Sequence, residues 1–308
     1  MKRAPVMALV GLLTATAVLG TTLPAADAAR LGPAPSAPKP AIATGSKIIG
    51  MSAPASLWSQ RLREVGSCGV KARRVFASLQ SNGKSQAKVI EQARADGMMP
   101  VISYKVPSVA KLNSGGYDSW LKATRTYLDS LDTPVTVTFW HEPHGDMTPA
   151  EFRAGSQKFL DVMKRPANPD IKVGPILNGW LLDNRVSDFA SYTSKSLLKQ
   201  WDFVAVDSYQ NGSLAKPGKK LPARAVPLLA SWLDQQGFPD KPIGLGEYNG
   251  FTAAAIQAAG EAILSTPEVW FGLVWNSEGD SYAPLAGDRI TAFQATKADP
   301  RAVHDGRC

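Results

Sequence analysis

Residues 134–146 read PVTVTFWHEPHGD, and the join inside this stretch governs how the rest of the chain is read. The first half, Pro134 to Phe139, is rich in β-branched residues that suit a pleated strand. Two imidazoles and two carboxylates then arrive together, as His141, Glu142, His144 and Asp146. Polar groups clustered where an apolar strand stops suit a parallel sheet that carries its chemistry at the strands' carboxyl ends.

Working outward, short apolar runs alternate with longer amphipathic ones. Strands are expected at Lys47 to Ser52, Arg73 to Leu79, Met99 to Tyr104, Pro134 to His141, Ile171 to Asn178, Trp201 to Tyr209, Pro242 to Glu247 and Val269 to Trp275. Helical spacing lies between them, as in Leu57-Trp58-Leu62-Val65, Val89-Ile90-Ala93 and Leu228-Leu229-Trp232-Leu233. Asp96-Gly97, Asn168-Pro169, Gly237 and Pro239 punctuate the series. Strands alternating with helices imply parallel pairing, and eight such units in roughly 250 residues predict an α/β fold of the (β/α)8 barrel type. An open doubly wound sheet is the alternative. Its glycine-rich phosphate turn would follow the first strand, where Gly50-Met51-Ser52-Ala53-Pro54 offers no G-x-G-x-x-G.

The amino-terminal residues fall outside this rhythm. Lys2 and Arg3 precede an apolar run from Val6 to Leu19, and Ala26-Asp27-Ala28 ends it with small residues, so residues 1–28 are expected to be a secretory signal peptide. The run is too short and too rich in Ala, Thr and Gly for a membrane span, and no later stretch is long enough. Residues 29–46, rich in Pro, Ala and Ser, read as a linker, which leaves residues 47–308 as one catalytic domain of a secreted protein. The formal charge of +8 is spread along the chain. Its densest clusters, Lys71-Ala72-Arg73-Arg74 and Lys216-Pro217-Gly218-Lys219-Lys220, are short and far apart, so nucleic acid is not an expected partner. A basic face suits adhesion to acidic cell-wall polymers better. The two cysteines, Cys68 after the first helix and Cys308 at the end of the chain, belong to helices that neighbour one another in a closed barrel, and a disulfide between them is expected in an exported chain.

The strand ends converge on one rim. The fourth offers Trp140-His141-Glu142, the fifth Asn178-Gly179-Trp180, the sixth Asp207-Ser208-Tyr209, the seventh Gly246-Glu247-Tyr248-Asn249 and the eighth Trp275-Asn276-Ser277-Glu278. Glu142 and Glu247 each close a run of uncharged residues, and strand alternation is expected to put Glu247 on the inward face with Ile243 and Leu245. Cleavage of a glycosidic bond with retention requires two carboxyls about 5–5.5 Å apart, one ionised for attack and one protonated to assist departure. Other chemistries fit less well. His141 and His144 miss the H-E-x-x-H spacing of a zinc helix, which Pro143 would break in any case. No G-x-S-x-G elbow occurs, and Ser196-Leu197-Leu198-Lys199 falls in a helical stretch without partner motifs. No metal or organic cofactor is expected.

Four segments, TVTFWHEPHGDM, WDFVAVDSY, PIGLGEYNG and FGLVWNS, in this order, resemble the fourth, sixth, seventh and eighth strands of the retaining clan A glycoside hydrolases. The nearest resemblance is to glycoside hydrolase family 26, the β-mannanases, which place His before the acid/base Glu as His141-Glu142 does. That resemblance implies Glu142 as general acid/base, Glu247 as nucleophile, a hydrogen bond from His141 in the catalytic subsite, a hydroxyl of Tyr209 donated to Glu247, and Trp275 as sugar platform. Pro143-His144-Gly145-Asp146 departs from the mannanase pattern of Met-Asn-Gly followed by a tryptophan-rich segment, so β-glucan stands beside β-mannan as substrate. Trp140, Trp180 and Tyr104 are further candidates for sugar faces, and Asn178, Asn249 and Asp207 for its hydroxyls. Arg74 is expected to hold Glu247 ionised, although the sequence leaves Arg73 open for the same task. Short connecting loops suit an open cleft and endo action by a monomer on a polysaccharide. A barrel that binds carbohydrate without cleaving it is the alternative.

Overall fold

The structure, a computed structural model, describes residues 47–279 and 282–304. The proposed signal peptide and linker, residues 1–46, and Cys308 lie outside the described residues.

Nine strands form one parallel sheet: β1 Ile48–Ser52, β2 Ala72–Ser78, β3 Met99–Lys105, β4 Val135–Phe139, β5 Ile171–Val173, β6 Ile176–Asn178, β7 Val204–Tyr209, β8 Ile243–Asn249 and β9 Val269–Trp275. Their order, β5-β4-β3-β2-β1-β9-β8-β7-β6, leaves only β5 and β6 unpaired with each other. These two are one broken strand. Gly174 N–H donates to Val137 on one side (3.2 Å), and Pro175 C=O accepts from Ala205 on the other (2.9 Å). The expected strand from Ile171 to Asn178 is thus present but kinked at Gly174-Pro175, where Pro has no N–H to continue a ladder. The kink joins the two ends of the sheet, and the result is a (β/α)8 barrel.

Alternation along each strand sorts side chains into two cores. Ala72, Met99, Val101, Ile176, Phe203, Ala205, Phe271 and Leu273 fill the barrel interior. The opposite parity, including Ile49, Val75, Val137, Val206 and Val274, packs under the helices in the larger core. Each fully buried Leu, Ile or Phe contributes on the order of 1.5–3 kcal/mol. The expected helical patterns are realised as Trp58–Val65, Ala87–Ala95 and Ala225–Gln235. Ser196 and Lys199 lie on the short helix Lys195–Gln200, as their spacing implied. No helix among the described residues is long and apolar enough to cross a membrane.

Three local departures from a regular barrel shape its mouth. First, β4 ends at Phe139, before Trp140, because Trp140 and Glu142 adopt left-handed backbone conformations (φ 50° and 48°). Such conformations cost of order 1–3 kcal/mol and persist only where neighbours enforce them. Here Glu142 N–H donates to Ile176 C=O (2.9 Å) and Trp140 N–H to Tyr104 C=O (3.0 Å). Second, the loop is closed by a capped helix, Pro149–Met163: Thr148 accepts from Glu151 N–H while Glu151 accepts from Thr148 N–H. Third, β8 is bulged. Leu245 opposes Val206 but Glu247 opposes Asp207, and on its other edge Leu245 opposes Gly272 while Tyr248 opposes Val274. Gly246 is the extra residue. Ile243 and Leu245 therefore pack outward beneath the helices, contrary to the alternation expected from the sequence, and the bulge turns Glu247 inward.

Candidate active site

Glu247 occupies the centre of the barrel mouth and is 4 % exposed. Arg74 Nε lies 3.3 Å from its Oε1, and the Tyr209 hydroxyl donates to its Oε2 at 2.5 Å. Strand parity decides between the two arginines. Arg74 shares the inward face of β2 with Ala72, while Arg73 points outward and lies over the Trp58 ring. Burial pushes the Glu247 carboxyl up, and Arg74 and Tyr209 pull it back by favouring the charged form. Tyr209 is itself raised well above an ordinary phenol, first by burial and then by Glu247, so it stays protonated and donates.

Glu142 faces the same cavity. Asn178 Nδ2 donates to its Oε1 at 3.1 Å, and Asn178 Oδ1 accepts from His144 N–H at 3.3 Å. The amide ties the carboxyl to the loop that carries it, so Asn178 positions Glu142 where the sequence suggested a contact to sugar hydroxyls. Burial, and next the charge on Glu247, push Glu142 up to about 7. The two acids are thus separated in order: Glu247 has a cation and a hydroxyl donor at its oxygens and ionises first, and its charge then keeps a proton on Glu142. Asp207 is buried beside them, and burial followed by Glu247 and Glu142 raises it well above the usual carboxylate range.

His141 packs against Phe76, with ring centroids 5.0 Å apart, and its Nδ1 is buried without a partner. Burial, reinforced by Arg74 and Lys105, lowers it to about 2, so the imidazole is neutral at any working pH.

The cleft has two lobes. One, of about 590 Å3, is lined by Phe76, Lys105, His141, Glu142, Tyr209, Glu247, Trp275, Gly279 and Tyr282. The other, of about 390 Å3, shares Glu142, Tyr209 and Tyr282 with it and runs to Trp180, Asp183, Lys220 and Arg224. Trp275 meets Phe76 edge to face at 6.1 Å. Trp180 is 59 % exposed, an aromatic face open to a ligand.

Three expected contacts are corrected. Tyr104 is fully buried with its hydroxyl donating to Gly83 C=O (3.3 Å); its parity is that of Ile102, under the helices, and it offers no face to a sugar. Asn249 is fully buried and donates to the carbonyls of Trp275 (2.9 Å) and Ala283 (3.1 Å), tying the ends of β8 and β9 together where hydroxyl recognition was expected. Trp140 lines neither lobe. Its Nε1–H donates to Asp146 (2.7 Å) and the Lys105 ammonium covers its ring at 4.8 Å.

Phe76, Lys105 and Tyr282 were not anticipated. Phe76 was within reach, since it stands two residues beyond Arg74 and so on the same face of β2. Tyr282 belongs to no strand, and only the path of its loop brings it against Tyr209, with ring centroids 4.7 Å apart.

The sequence matches no protein-family model and no curated protein. The structure, in contrast, superposes on a modular endo-β-1,4-mannanase of glycoside hydrolase family 26 from Cellulomonas fimi over 84% of this chain and 72% of that one, with TM-score 0.60 and 16% identity. A family 26 β-mannanase from Bacteroides ovatus aligns over 84% and 90%, with TM-score 0.59 and 16% identity. An endoglucanase from Thermotoga maritima aligns over 81% and 97%, with TM-score 0.56 and 13% identity. At these identities the likeness is one of fold. The resemblance read from four strand-end motifs therefore extends to the architecture of the whole barrel.

Proposed function

We propose that this chain is a retaining endo-β-glycanase that hydrolyses a β-linked polysaccharide, β-mannan or β-glucan. The observation that carries this reading is the pair of glutamates lining one cleft in different surroundings: Glu247 beside Arg74 and Tyr209, and Glu142 held by Asn178 with no cation among the described residues at hydrogen-bond distance. Glu142 would donate its proton to the glycosidic oxygen as Glu247 attacks the anomeric carbon and forms a glycosyl ester. Glu142, now ionised, would take a proton from water, which attacks the same carbon and releases Glu247. Two inversions give net retention. Trp275 would supply the apolar floor at the bond cleaved, and Trp180 a stacking face in the second lobe. The neutral His141 would hydrogen-bond a sugar hydroxyl without competing for the proton.

The mannanase and endoglucanase identities of the structural neighbours support this substrate class. Residues 1–28 would direct export, residues 29–46 would form an extended linker ahead of the catalytic domain, and that domain would act as a monomer. Cys68 lies against the last helix, where its carbonyl accepts from Lys297 Nζ at 2.5 Å, which supports a bond to Cys308 ten residues beyond that helix's end at Ala298. Incubation with mannans, β-glucans and xylans should release new reducing ends, and Glu247→Ala should abolish them. Binding across the panel with no hydrolysis would establish the non-catalytic alternative, and hydrolysis that survives Glu247→Ala would refute the assignment.

A further inference from the structure

A second cavity, of about 580 Å3, opens on the side of the barrel between the helices Trp58–Val65 and Ala87–Ala95, and it shares no lining residue with the cleft. In most of the barrel the outer face of a strand meets apolar side chains, such as Val75 and Ala77 further along β2. At this position it presents Arg73, which is only 3 % exposed. The guanidinium lies 4.0 Å above the Trp58 ring centre. Stacking holds the fork but satisfies none of its N–H groups. Among the described residues no carboxylate forms an ion pair with Arg73, and both Arg73 Nε and Trp58 Nε1 are buried without an acceptor. These two nitrogens lie behind the cavity wall; the outer Nη edge of Arg73, which is not among the buried unpartnered atoms and has no hydrogen-bond acceptor among the described residues, is the part that reaches the space. Arg63 and Lys88 also line it, against a single carboxylate, Asp96. Three cations to one anion leave the cavity with a net charge of +2. Burial lowers the Arg73 guanidinium to about 10, with Asp96 acting the other way, and it remains charged at neutral pH.

We infer that this cavity is a binding site for a small oxyanion, the phosphate or carboxylate group of a ligand held apart from the catalytic cleft. Burying an unpaired guanidinium is strongly unfavourable, and an apolar side chain of similar size would remove the penalty. An oxyanion would offset it directly, since its oxygens match the outer Nη edge of the planar fork. Lys88 and Arg63 would outweigh Asp96, whose charge already acts on Arg73, and complete the charge balance. The inference does not depend on the glycanase reading, because no residue of the cleft takes part.

Calorimetric titration of the full chain at constant ionic strength tests it, with inorganic phosphate, glucuronate and, as the neutral control, glucose. Saturable binding of phosphate or glucuronate but not of glucose is expected. Arg73→Lys, which keeps the charge and loses the fork, should weaken it about tenfold or more, and Lys88→Gln about threefold. Hydrolysis of polysaccharide should be unchanged in both variants. Phosphate alone would identify a phosphorylated ligand, and glucuronate an acidic sugar. Absence of saturable anion binding, equal binding of glucose, or unchanged affinity in the variants would overturn the inference. Should Arg73→Lys fail to fold by circular dichroism, the double substitution Arg63→Gln with Lys88→Gln decides it by the same readout.

Discussion

Tyr209→Phe isolates the hydroxyl that distinguishes the two catalytic candidates. The bond from Tyr209 to Glu247 Oε2 is 2.5 Å long and lies at a nearly water-free position. Hydrogen bonds to a charged group contribute roughly 1.5–3 kcal/mol. Only the ionised form of Glu247 gains the full benefit, so losing the hydroxyl should raise its proton affinity by about one to two pH units, at 1.36 kcal/mol per unit. The direction is definite: burial already pushes Glu247 up, Arg74 and Tyr209 pull it down, and the variant keeps only Arg74. The acidic limb of the kcat/KM profile on a soluble β-glycan should therefore move to higher pH by about one to two units. At the pH optimum kcat/KM should fall by about 10- to 100-fold, the kinetic equivalent of the same energy. The alkaline limb, which reports Glu142 near 7, should move little. An acidic limb that stays in place while activity falls would refute the account, because the hydroxyl would then act on the substrate and not on the nucleophile.

Glu142→Gln should leave almost no activity yet stabilise the fold above neutral pH. A carboxyl raised from 4.5 to about 7 binds its proton more tightly when folded. The contribution of Glu142 to wild-type stability is therefore fully present below about pH 4.5 and is lost as pH rises through about 7, by up to roughly 3 kcal/mol, a loss the amide escapes. Thermal melts at pH 5 and pH 8 should show the gain in the variant at pH 8 only. Gly246→Ala would place a methyl 2.6 Å from Asp207 Oδ1 and 2.7 Å from Ile176. It should destabilise by about 1–3 kcal/mol and lower activity through displacement of Glu247, as denaturant unfolding and initial rates would reveal. Trp180→Ala should raise KM on long polymers several-fold while leaving rates on short substrates unchanged, since the exposed ring lines the second lobe and not the one that holds Glu247. Non-reducing peptide mapping of the chain produced in an oxidising compartment should recover Cys68 linked to Cys308, as proposed, and reduction should cost about 2–4 kcal/mol of stability.

Legibility in the sequence followed the range of the physical cause. Strands and helices were readable because burial repeats every two or 3.6 residues, and that repeat lies along the chain itself. The strand-end clusters were readable because a barrel whose helices return the chain to one end puts every carboxyl end on the same rim. Within a strand, alternation could even have chosen Arg74 over Arg73 and admitted Phe76, once Ala72 was known to point inward. Parity is relative, however, and nothing in a single strand says which parity faces the axis. Tyr104, on the outer face of β3, was misassigned for that reason. Asn249, by contrast, shares the inward parity of Glu247 and was misassigned because neighbouring carbonyls take up its amide.

Glu247 is the sharpest case. Its identity as the acid of the seventh unit was written in PIGLGEYNG, but regular alternation with Ile243 and Leu245 would have sent it outward under the helices. Only the bulge at Gly246, set by the registers of β7 and β9 on either side, turns it into the mouth. Glu142 likewise depends on a backbone at φ 48° that the Ile176 carbonyl and Asn178 amide hold from other strands. The sequence by itself determined the residue types, their order and the barrel that gathers them, because these rest on local periodicity. The tertiary structure decided how the two carboxyls differ in surroundings, because proton affinity depends on burial and on charges brought close by folding, and those neighbours lie scores of residues away along the chain.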